Sequence, residues 1–146
     1  MAFTMREFLR GAISAWGWFI VFSTAAHLPI AGFYFWLVLY CTVPWSLGAL
    51  LVGSLIAYGL GWSLRGIPSV PVHVAMFTLL GAVVGIATTA LAVLPPGSAL
   101  TGLNAEDYRF SIVVVCTAST IAVPLGWWQT ARRALRLDRE EIAGVI

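Results

Sequence analysis

Lysine is absent from this sequence and charge of either sign is scarce: eight arginines and six acids, 10% of 146 residues. Soluble domains carry roughly a quarter charged residues, so this chain could not coat a soluble surface of ordinary size. No Asp, Glu, Lys or Arg occurs anywhere in residues 11–64. Cysteine is limited to Cys41 and Cys116, a spacing that matches neither a CxxC motif nor a metal-binding pattern. Histidine is limited to His27 and His73.

Each shortage removes a class of function. The arginines sit in caps and loops, not in a stripe that could track phosphates, so nucleic acid is excluded as a partner. The first apolar segment holds no acid, which removes the buried carboxylate a proton-coupled drug antiporter needs. Haem held by two histidines would require both at one membrane depth. His27 falls near the outer end of the first apolar segment and His73 at the inner start of the third, so no such pairing is expected. The sequence implies no cofactor, no metal site and no catalytic residue set, and the chain is not expected to be an enzyme.

What is present is apolar surface: 60% of residues are hydrophobic and the mean hydropathy is +0.93. A spanning helix needs roughly 20 apolar residues. The expectation is an all-α, polytopic membrane protein, a four-helix transmembrane bundle, with spans near residues 8–26, 44–62, 71–94 and 110–130 and a tail over 131–146. Arg6 and Arg10 precede an apolar stretch without a small-residue cleavage site, so the first span reads as a permanent anchor, not a signal peptide.

Prolines 29 and 44 and the aromatic block at residues 33–36 separate the first two spans. That block reads as an interfacial anchor, where Trp and Tyr prefer to lie. The alternative is a first helix that continues to Tyr40 with a kink at Pro29. Residues 95–97, Pro-Pro-Gly, mark the turn after the third span.

Orientation follows from arginine placement. Arg6 and Arg10 precede the first span, Arg65 follows the second, and Arg132, Arg133, Arg136 and Arg139 follow the fourth. With four spans all three groups fall on one side, giving a multi-pass plasma-membrane protein with both termini cytoplasmic. The remaining loop carries Arg109 beside Glu106 and Asp107.

Helices in lipid associate through close contact of small residues. Gly53, Ala57 and Gly61 share one face of the second span, Gly81 and Gly85 form a GxxxG in the third, and Ala118, Ala122 and Gly126 share a face of the fourth. The hydroxyls of Thr117, Ser119 and Thr120, before Pro124, could line a polar path, but back-bonding to helix carbonyls suffices to explain them. His27, beside Pro29, is a candidate kink or binding position; Tyr58 and Thr120 join it as candidates for lining a cavity. The segments around Pro44 and Pro124 echo one another faintly, as an inverted repeat would. The tail reads as a solvated helical extension.

No motif here is diagnostic of a family, and the sequence does not specify a process. Small-residue faces without buried charge favour a non-catalytic accessory, assembly or scaffold protein in the lipid bilayer, acting through helix contacts with a membrane-protein partner or a second copy. The alternative is a small transporter or flippase for a neutral or lipidic substrate, with a midplane cavity lined by Ser, Thr, Tyr58 and His27. A third reading, redox chemistry at Cys41 and Cys116, requires the two thiols within disulfide reach.

Overall fold

The computed structural model describes residues 5–93 and 105–144, and among them every regular element is helical. Four α-helices follow one another: α1 (Met5–Ala31), α2 (Phe35–Ser63), α3 (Val70–Val93) and α4 (Ala105–Gly144). Short 3-10 segments, Gly32–Tyr34 and Leu64–Gly66, close α1 to α2 and end α2. Three stretches are long and apolar enough to cross a membrane, 5–66, 70–92 and 109–133. Four were expected from the sequence. The first stretch counts once because helical structure runs unbroken from 5 to 66 with no charged residue between 11 and 64, although it contains both α1 and α2.

Those two helices double back on each other. Gly32 has φ +49°, a left-handed conformation that costs glycine nothing and side-chain-bearing residues a good deal, and it makes the reversal. Beyond it the pairing is antiparallel. Near the turn, Trp16 Nε1 of α1 donates to Ser46 Oγ of α2 at 2.9 Å. Farther away, Phe8 meets Tyr58 edge-on at 5.4 Å between ring centroids. A straight run of 62 residues would instead extend about 90 Å, three membrane cores.

Helix limits differ from expectation in the first half of the chain. Phe35 to Tyr40 form the opening turns of α2, so they do not extend α1. Pro44, expected at the start of the second helix, lies well inside it, as Pro29 lies in the last turns of α1 and Pro124 inside α4. A proline costs a helix one N–H donor, for Pro44 the one that would bond Tyr40 O, yet the helix continues through it. At the other end, α4 runs on through Arg132 and Arg133 to Gly144 without a break. The expected turn at 95–97 lies outside the described residues.

α4 is the hub. α1 packs antiparallel along one side of it and α3 along another, while α2 leans mainly on α1. Ser14 Oγ donates to Gln129 Oε1 at 2.5 Å near one end of the α1–α4 seam, and His27 meets Phe110 edge-on at 5.5 Å near the other. On the α3 side, His73 and Phe77 both stack on Trp127, at 5.5 and 5.8 Å. Leu64, Phe77 and Leu80 form a buried apolar cluster there, covered by Ala57, Leu60, Val123 and Trp127. Arg6, Arg10, Arg65, Arg132 and Arg133 therefore gather at one end, the arginine end, with Gly32 and Arg109 at the opposite, Gly32 end.

Candidate functional site

Close helix contact is concentrated on α4. A Cβ built on Gly126 would stand 2.6 Å from Ala15 Cβ and 2.7 Å from Gly11 O of α1. One built on Gly81 would meet the backbone of Ser119, and one on Gly85 would meet Ser119 Oγ and come within 2.9 Å of Cys116 Cα. Ala118 and Ala122 are buried on the same helix. Gly11 and Ala15, which complete the α1–α4 seam, were not singled out in the sequence, although they repeat the small-xxx-small spacing.

α2 behaves differently. A Cβ on Gly53 would reach only ordinary contact, 3.7 Å from Val84 Cγ2, and one on Gly61 would meet nothing within 4 Å. The small residues of α2 border open space between it and the α3–α4 pair. That space forms two cavities of about 700 and 620 Å³. Gly53 borders the first, toward the Gly32 end; Ala57 and Gly61 border the second, toward the arginine end. Ala15 of α1 and Val123 of α4 border both, so the two spaces adjoin midway along the helices.

The first cavity is chemically dry. Among the described residues no charged side chain borders it. Several hydroxyls do, but they give their protons to carbonyls of their own helices: Ser46 to Val43, Thr88 to Val84, Thr89 to Gly85 and Ser119 to Val115, at 2.8 to 3.0 Å. Hydroxyls bonded in this way offer a guest little beyond their remaining lone pairs. The surrounding Trp16, Phe19, Trp45 and Leu80 supply an apolar wall.

The second cavity is amphipathic. Phe8, Phe77 and Trp127 form apolar walls, while Glu7, Arg65, His73 and Tyr58 bring polar groups to it. His73 Nδ1 lies 2.9 Å from Ser69 O. A carbonyl can only accept, so Nδ1 carries the proton and Nε2 of the neutral ring keeps its lone pair.

Of His27, Tyr58 and Thr120, only Tyr58 borders either cavity. His27 is turned back on its own helix, Nδ1 donating to Ser23 O at 2.7 Å, and borders neither. Thr120 also lies outside both; its hydroxyl donates to Cys116 O at 2.6 Å. Cys41 and Cys116 are free thiols. Cys41 borders the first cavity while Cys116 packs against Gly85 of α3. Among the described residues, no group of three or more His, Cys, Asp or Glu is placed to hold a metal ion. Comparison with protein-family models, with curated proteins and with solved structures gives no match, so function has to be read from these cavities and seams alone.

Proposed function

We propose that this chain is a four-span plasma-membrane protein, both termini cytoplasmic, that takes a neutral or lipidic molecule between its helices as a small transporter or flippase. The observation that carries this reading is the pair of adjoining cavities meeting at Ala15 and Val123. Each has a volume in the range of sites for small ligands, about 300–1,000 Å³. A bundle whose only task was to hold itself together would close such a gap, because packing is what holds helices together in lipid. The four-span arrangement rests on the antiparallel α1–α2 hairpin and on the gathering of arginines at one end, which is then the cytoplasmic end.

The test is translocation of a fluorescent short-chain lipid across vesicles containing the purified protein, followed by quenching from outside. The reading expects exchange between leaflets faster than in protein-free vesicles. Equal rates for several lipid classes would remove it.

A second reading, an accessory or assembly subunit, is favoured by one feature of α2. Its Gly53 and Gly61 do not receive another helix of this chain closely, and a partner's helix or a second copy would find a smooth surface there. The mass of the particle after gentle extraction, with its companions identified, separates the two readings. Reproducible protein partners support the subunit; a lone chain supports the carrier.

A further inference from the structure

We propose that the cavity at the arginine end is a headgroup site for an anionic amphiphile, its phosphate held at Arg65 and its apolar chain directed past Ala15 and Val123 into the dry cavity. This deepens the carrier reading and rests on it.

The two cavities differ in a way that fixes the polarity of any guest. The one toward the Gly32 end has no charged residue on its walls among the described residues, and the hydroxyl protons of Thr88, Thr89 and Ser119 on those walls are engaged. A headgroup moved there would lose its hydration with few donors in exchange, a transfer costed in several kcal/mol for a polar group and far more for an ion. The arginine-end cavity has Arg65 at its border together with other residues that carry donors, Tyr58, Trp62 and Trp127. An amphiphile therefore has one favourable orientation, with its head at Arg65.

The sign of the head follows from charge. Among the described residues one acid, Glu7, borders the same cavity. Against it stand Arg65 on the cavity and Arg6, Arg10, Arg132 and Arg133 at the same end. The field is positive, and a guanidinium suits phosphate oxygens, to which it offers paired donors. Arg132 is partly committed, since its guanidinium carbon lies 4.5 Å from the Trp128 ring centroid. Arg65 is the arginine that borders the cavity.

The test is native mass spectrometry of the full chain in mild detergent, titrated separately with dioleoylphosphatidylglycerol, dioleoylphosphatidylcholine and diolein. Phosphatidylglycerol is expected to be retained best. Arg65→Gln should weaken its retention at least about tenfold, the loss of one charge-assisted hydrogen bond, while Arg65→Lys keeps most of it and shows that the fold survives. Arg136→Gln is the control, an arginine that borders neither cavity, and should change nothing. Equal retention of phosphatidylglycerol and phosphatidylcholine, or an equal loss in Arg136→Gln, overturns the headgroup site. Retention of diolein alongside either result leaves the carrier reading standing; retention of no lipid at all removes both.

Discussion

Gly126 of α4 and Ala15 of α1 approach so closely that a Cβ added to the glycine would stand 2.6 Å from that of the alanine. Real Cβ atoms do not come so near, and the neighbours on the other side are backbone, Gly11 O at 2.7 Å. Gly126→Ala must push α1 away from α4, and overpacking of this kind typically costs about 1–3 kcal/mol. The unfolding temperature in detergent should fall. Gly61→Ala is the counterpart, because nothing lies within 4 Å of its added Cβ. There the gain in helix propensity, about 0.5–1 kcal/mol, meets no opposing contact, and stability should be unchanged or raised.

Gly81 and Gly85 should respond differently to the same second change. An alanine at Gly81 meets the Ser119 carbonyl and the Thr120 Cα, which are backbone and cannot turn aside. An alanine at Gly85 meets the Ser119 hydroxyl first. Ser119→Ala should therefore restore part of the stability lost in Gly85→Ala and none of that lost in Gly81→Ala. A double-mutant cycle by thermal unfolding reads the difference directly. Equal rescue of both would mean that the α3–α4 seam is set otherwise than described.

Two serines of α1, Ser23 buried and Ser14 half-buried, provide a test of polar satisfaction. Ser23 is 1% exposed and its hydroxyl has no hydrogen-bond partner among the described residues. An unmet buried hydroxyl costs free energy, so Ser23→Ala should be neutral or stabilising. Ser14→Ala, which breaks the bond to Gln129, should destabilise by about 0.6 kcal/mol, the average for hydrogen bonds between membrane helices. Unfolding midpoints of the two variants should move in opposite directions or, at least, differ in that order.

Much of this architecture was legible in the sequence, and what was not has identifiable causes. The lack of charge across residues 11–64 announces apolar helices but hides where one ends and the next begins. Pro44 looked like a helix start because proline opens helices in water. In an apolar helix it is carried inside, and the chain reverses twelve residues earlier, at Gly32, the one glycine with positive φ among the described residues. Gly53, Ala57 and Gly61 have the same spacing as Gly81 and Gly85, yet they border cavities while the α3 pair abuts α4. Spacing reports small residues on a face; the antiparallel register decides whether a helix or a void lies opposite. Gly11 and Ala15 carry the same spacing on α1, where a charged neighbour, Arg10, masks the small-residue face that Gly126 packs against.

Orientation is directly testable. With Cys41 and Cys116 replaced by serine, single cysteines at Arg6 and Arg136 should react with a membrane-impermeant maleimide only after the inner face is opened. A cysteine at Ser98, between the third and fourth helices, should react from outside in intact cells. Labelling of Arg6 and Arg136 positions from opposite faces would require an odd number of spans and contradict the four-span reading.

The most direct test of the central claim, that the space between α2 and the α3–α4 pair holds a membrane-dissolved guest, is to fill it. Gly53 borders the dry cavity and has only Val84 in ordinary contact, so Gly53→Phe should occupy the space with little strain on the seams. Native mass spectrometry of the gently extracted protein should find a lipid-sized adduct on the unmodified chain and none on Gly53→Phe, at equal or higher unfolding temperature. An unmodified chain that carries no adduct, or a Gly53→Phe variant that carries as much, would contradict the account.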